Sequence, residues 1–92
     1  MLQFEWDPGK AERNLEKHGV SFPEAATVFG DELSYTFDDP DHSDEEVRYL
    51  TVGFSRTGKL IIVSHTDRQE KIRIISARAL TKQERQFFEG GG

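Results

Sequence analysis

Lys59-Leu60-Ile61-Ile62-Val63-Ser64-His65-Thr66, then Asp67-Arg68-Gln69-Glu70, then Lys71-Ile72-Arg73-Ile74-Ile75-Ser76-Ala77 is the stretch that decides the fold. Two β-branched runs flank a polar tetrad, which is the pattern of an antiparallel hairpin. Alternation places Ile61, Val63 and His65 on one face of the first strand. Leu60, Ile62, Ser64 and Thr66 take the other. In the second strand Lys71, Arg73, Ile75 and Ala77 share a face, and Ile72, Ile74, Ser76 and Arg78 share the opposite one, unless the strand bends near Ser76. A turn over 67–70 sets Arg73 opposite Ser64 and points it away from His65. A turn one residue shorter or longer, or a bulge, would bring the two to one face.

Working outward, Val47 to Phe54 reads as a preceding strand with Gly53 as a bulge candidate, joined through the turn Ser55-Arg56-Thr57-Gly58. Before it, Leu33, Tyr35 and Phe37 alternate with polar residues, and Asp38 to Glu46 is an acidic loop. At the N-terminus, residues 3–6 are a short strand. Asp7 as N-cap and Pro8 as N1 open a helix over 8–18, with Ala11, Leu15 and His18 at helical spacing and Gly19 as its stop. Ser21 and Glu24 form a capping box for a second helix, 22–29. Thr81 and Glu84 form another, for a helix over 82–89 carrying Phe87 and Phe88. The expectation is a single α+β domain over 1–89: two N-terminal helices, an antiparallel β-meander and a C-terminal helix. The helices are expected on one sheet face, leaving the other free for a site. Gly90-Gly91-Gly92 reads as a flexible tail.

Ninety-two residues leave room for one core. The absence of cysteine excludes disulfides, thiolate metal sites and thiol nucleophiles. The longest apolar run, Leu60-Ile61-Ile62-Val63, is far too short to span a membrane. Met1 to Asp7 has neither a basic n-region nor an apolar h-region, so no signal peptide is expected and the cytoplasm is the expected location. The net charge of −5 hides a split. Residues 1–46 carry 13 Asp/Glu against 3 Lys/Arg, and residues 47–92 carry 4 against 9. Such a dipolar chain has one part suited to anions or nucleic acid; the plain alternative is a solvated acidic surface.

Several segments, in order and with their spacing intact, resemble the BrnT family of type II toxins. They are Phe4-Glu5-Trp6-Asp7 with Lys10; Asn14-Leu15-Glu16-Lys17-His18-Gly19-Val20-Ser21-Phe22 with Glu24-Ala25; Asp38-Asp39-Pro40; Glu45-Glu46-Val47-Arg48; Val52-Gly53; Arg73-Ile74-Ile75-Ser76-Ala77-Arg78; and Thr81-Lys82-Gln83-Glu84-Arg85. The resemblance implies a RelE-like fold and a metal-independent endoribonuclease that arrests growth. It also implies neutralisation by an adjacent BrnA-like ribbon-helix-helix antitoxin, in a 2:2 assembly that binds DNA only through the antitoxin. A domain that has lost catalysis and acts only as the antitoxin's partner is the alternative.

Metal-free RNA cleavage needs a base for the 2′-hydroxyl, cations around the phosphate and an acid for the leaving oxygen. His65, at a strand end, is the candidate acid/base; otherwise it is a partly exposed strand-end histidine. Arg73, between isoleucines, requires a carboxylate or a phosphate, and Glu46 or Asp67 would be its internal partner. Arg78 suits bidentate phosphate binding or is an ordinary surface residue. Glu46 and Arg48 are a candidate supporting pair, or part of a solvated charge run. Lys10, Asn14 and Lys17 line the polar side of the first helix and are candidates for the RNA edge, or for solvation alone. His18 is read as a helix-end or packing residue. Asp38-Asp39-Pro40-Asp41-His42 lacks the spacing of a calcium or zinc loop, so no metal or other cofactor is expected.

Overall fold

The computed structural model describes residues 2–41 and 46–90. The elements are β1 (Phe4–Glu5), α1 (Pro8–His18), α2 (Phe22–Thr27), a 3₁₀ turn (Val28–Gly30), β2 (Tyr35–Asp38), β3 (Tyr49–Phe54), β4 (Leu60–Arg68), β5 (Lys71–Ala79) and α3 (Lys82–Glu89). Helix ends form where the capping residues demand. The Asp7 carboxylate accepts the Lys10 N–H, and Gly19 at φ 70° donates its N–H to the Leu15 carbonyl. Thr81 and Glu84 complete a reciprocal capping box. Ser21 caps α2 by accepting the Glu24 N–H. Glu24 does not reach back. Its carboxylate instead accepts from Ser55 Oγ at 2.9 Å and Thr57 Oγ1 at 2.6 Å, tying α2 to the β3–β4 turn. Those bonds hold it ionised below the usual carboxylate range.

The strands lie in the order β1-β5-β4-β3-β2, with β1 parallel to β5 and the others antiparallel. The β4–β5 turn is tighter than the expected tetrad. Only Gln69 and Glu70 stand outside the ladder, both at positive φ (50° and 69°), the twist-matched conformation of a two-residue hairpin. Arg73 therefore pairs with Thr66, and His65 with Ile74. Between Ser64 and His65 the register shifts: Ser64 pairs with Ser76, leaving Ile75 as the extra residue of a β-bulge. The bulge reverses the phase of β5. Arg73, opposite Thr66, and Arg78, opposite Ile62, thereby come to one face. Gly53, expected at a bulge, pairs regularly with Ile61. It is glycine for a different reason: a Cβ there would lie 2.9 Å from Ser34 Cβ and 3.1 Å from both Asp31 Oδ2 and Val28 Cγ1.

The main core fills the face covered by α1 and α2, with Phe22, Ala25, Val28, Ile61, Val63, Ile74 and Ala77 buried. The expectation that all helices share that face is corrected by α3. It crosses the opposite face, where Phe88 packs with Val52, Leu60, Ile62 and Leu80. These apolar residues on the second face need cover, and the two-residue link Leu80-Thr81 turns the chain over the sheet end. Part of the second face, toward Thr66 and Arg73, lies beyond this cluster. The apolar stripe read on α1 is also shifted. Leu15 is 50% exposed and His18 is exposed, while Asn14 at 7% takes the core-facing position. Among the described residues no helix is long and apolar enough to cross a membrane.

Candidate functional site

Strand alternation brings Arg73, Arg78 and Arg48 to the second sheet face, with Arg68 and its partner Lys71 on the same face at the hairpin end. Arg73 sits beside β1, where Glu5 is its register partner. Arg73 Nη1 donates to Glu5 Oε2 at 2.9 Å, with both side chains about one-third exposed. Glu5 is thus the carboxylate that permits an arginine between isoleucines, in place of the expected Glu46 or Asp67. Its role was hidden because parallel pairing of β1 with β5 leaves no local trace in the sequence. Arg78 holds Glu84 bidentately, Nη1 to Oε1 at 2.7 Å and Nη2 to Oε2 at 3.0 Å. The arginine and the Thr81 N–H lower the Glu84 carboxyl to about 2, and the pairing raises Arg78 in turn. Arg48 precedes β3 by one residue and shares the alternation of Leu50 and Val52. Its Nε lies 4.0 Å from Glu46 Oε1, a loose contact between partly exposed groups. Arg48, Arg73 and Arg78 are thus cations already paired with carboxylates, each open enough for an oxyanion to compete.

His65 stands on the other side of the sheet. It is 4% exposed, its ring edge-to-face against Phe29 at 4.9 Å and stacked on Tyr49 at 5.8 Å. His65 Nε2 lies 2.7 Å from Thr51 Oγ1, which lies 2.7 Å from Thr36 Oγ1, so a hydrogen-bond chain crosses three strands. Nδ1 is buried with no hydrogen-bond partner among the described residues. A proton on Nε2 is donated to Thr51 and leaves Nδ1 a bare lone pair, whereas the other tautomer would bury an unpaired N–H. Burial pushes the imidazole below the usual histidine range, with Asp67 pulling more weakly the other way. The expected grouping of His65 with Arg73 and Arg78 is therefore corrected: the hairpin register keeps it behind the sheet.

Asn14, expected at an RNA edge, is also placed elsewhere. Its Nδ2 donates to Val20 O at 3.0 Å and Ala77 O at 2.8 Å, and its Oδ1 accepts from Ala77 N at 3.1 Å. Those bonds join α1 to β5. Lys10 and Lys17 are exposed on α1, in the helical layer away from Arg73 and Arg78. In the acidic loop, Asp39 is buried, its Oδ1 accepts the Asp41 N–H and its own N–H donates to Arg48 O. His42, the other end of the metal reading, lies outside the described residues, as do Glu45 and the last two glycines. Among the described residues no three His or carboxylate side chains are grouped to hold a metal ion.

This arrangement matches a known fold. The crystal structure of the Brucella abortus ribonuclease toxin BrnT superposes with a TM-score of 0.65 at 20% sequence identity, covering 89% of this chain and 100% of that one. At that identity the likeness concerns the fold alone. No curated protein sequence matches the chain. The family model described as "Ribonuclease toxin, BrnT, of type II toxin-antitoxin system" matches residues 6–84, from Trp6 in the strand-to-helix link to Glu84 beneath Arg78. The chain therefore belongs to the BrnT family of ribonuclease toxins of type II toxin–antitoxin systems.

Proposed function

We propose that this chain is a metal-independent endoribonuclease acting at the second sheet face, with Arg73 and Arg78 as the phosphate-binding pair. The observation that carries this is the bulge at Ile75, which brings both arginines to one face. Arg48 adds a further cation from the residue before β3. Phosphate oxygens compete with Glu5 and Glu84 for guanidinium donors, and these donors stabilise the charge that grows on phosphorus during attack. Glu46, beside Arg48, takes the 2′-hydroxyl proton. The 2′-oxygen displaces the 5′-oxygen, which leaves with a proton drawn from solvent, giving a 2′,3′-cyclic phosphate and a 5′-hydroxyl. His65 is a positioning residue in this scheme, fixing Tyr49 and the β3–β4 register from behind. Lys10 and Lys17 reach only flanking RNA.

Family membership and the sequence resemblance support the following biological setting. The RelE-like chain acts in the cytoplasm, arrests growth by RNA cleavage and is neutralised by a BrnA-like ribbon-helix-helix antitoxin in a 2:2 assembly. DNA is bound through the antitoxin. Cleavage of a defined RNA by purified protein is the test. Arg73→Ala and Arg78→Ala each lower the rate by roughly 10²–10³ while the circular dichroism spectrum is kept. Activity persists in EDTA. Full activity in both variants would remove the site from this face, and loss in EDTA restored by a divalent ion would remove the metal-free chemistry.

A further inference from the structure

An apolar groove of about 650 Å³ runs between α3 and the edge of the second face, floored by Val52 and Ile62 and walled by Tyr35, Phe37 and Phe87. Tyr35 is 62% exposed and Phe87 72%, a concentration of aromatic surface that soluble monomers seldom leave uncovered. Its outer wall, β2, is the last strand of the sheet order, so among the described residues its far side is an unpaired edge. Among the described residues that line the groove, Gln83 and Glu84 join the Tyr35 hydroxyl as the polar members, and none is Lys or Arg.

We infer that this groove is the docking surface for a segment of the cognate antitoxin, one presenting apolar side chains to its aromatic walls. The inference rests on the toxin–antitoxin reading above. Aromatic walls over an apolar floor suit an amphipathic peptide whose apolar side chains cover the surface the free chain leaves open, and a type II toxin has such a partner in its antitoxin. An RNA strand fits poorly, because among the described residues lining the groove none is a cation to meet its phosphates. The location also explains inhibition. Tyr35, Val52 and Ile62 lie along one row of the sheet whose next member is Arg78. A segment seated in the groove ends against that arginine and obstructs the proposed phosphate site.

The test co-expresses the full chain with the protein encoded by the adjoining reading frame and measures their affinity. Tyr35→Glu and Phe87→Glu alter exposed side chains, so the fold survives; thermal melts check this. Each is expected to weaken the complex at least about tenfold, while RNA cleavage by the free variants stays at the wild-type rate. A wild-type complex that both variants form with unchanged affinity would place the antitoxin elsewhere and leave the toxin reading intact. Absence of any complex with wild-type protein would overturn both. A dimer of the isolated chain that Phe87→Glu dissolves, with antitoxin affinity unchanged, would assign the groove to a second copy. Loss of cleavage with unchanged antitoxin affinity would assign it to RNA.

Discussion

Replacing Asn14 with alanine should cost the fold about 3–5 kcal/mol, which separates a structural role from an RNA contact. β1 covers the outer edge of β5 only at Ile72 and Arg73. Further along that edge, the Asn14 amide serves as a one-residue substitute for a strand, donating to Ala77 O and accepting from Ala77 N. It also holds Val20 O in the loop between α1 and α2. Ala77 is 1% and Val20 2% exposed, so water has little access to the groups that alanine would orphan. An orphaned buried polar group costs about 1–3 kcal/mol, and three partly relaxed ones give the figure above. A domain of this size has roughly 5–10 kcal/mol in all, so the variant would be marginal at 37 °C. Trp6, edge-to-face with Phe22 at 5.9 Å, is the only tryptophan and reports urea unfolding by fluorescence. Asn14→Asp sharpens the test. An ionised carboxylate would face two carbonyls, so its folded pKa lies above the unfolded value. Stability is then recovered as pH falls through the folded pKa and lost as pH rises through it. A loss below about 1 kcal/mol in Asn14→Ala, accompanied by weaker RNA binding, would refute the structural assignment.

Protonating His65 would place a charge and an unpaired Nδ1–H behind the sheet. Its folded pKa lies below the unfolded value, so stability should be flat above about pH 6.5 and fall below it by up to about 1.4 kcal/mol per pH unit. A pH series of urea midpoints that is superimposable for wild type and His65→Gln would contradict this. Gly53→Ala should destabilise by about 1–3 kcal/mol through overpacking against Ser34 and Val28; a neutral thermal melt would show that the 3₁₀ turn yields freely. Glu84, at about 2 when folded against an ordinary value of 4.5, contributes stability that is present above pH 4.5 and lost as pH falls toward 2. The pair is two-fifths exposed, so the amplitude is small. Glu84→Gln should remove that part of the acid limb, and an unchanged limb would count against the pairing.

The elements themselves were legible because their signals are local. Capping at Asp7 and Thr81, the stop at Gly19 and the β-branched runs around residues 67–70 each act within a few residues. What escaped the sequence depends on distant partners. Asn14 looks like a polar surface residue until β5 needs an edge partner there. Glu24 looks like half of a capping box until Ser55 and Thr57 compete for its carboxylate. The position of His65 was open because face depends on parity, and parity depends on a turn length set by Gln69 and Glu70. Arg73 and Arg78 were separable from the start as residues needing anions. Their common face was not fixed until the bend near Ser76 took definite form as an unpaired Ile75.

That unpaired residue marks a place where the strand could lose length without losing register. Ser76 and Arg78 lie beyond Ile75 on the second face, and Ala77 between them faces the core. Loss of the single codon for Ile75 would not shorten a loop. It would join Ile74, opposite His65, directly to Ser76, opposite Ser64, in a regular ladder. Every other pairing would be kept, and Arg73 and Arg78 would stay on one face. A polymorphism that preserves the reading frame and every charged residue would therefore leave the two cations together, so what this strand must inherit is the pairing on either side of the bulge, and the extra residue is the part that can be spared.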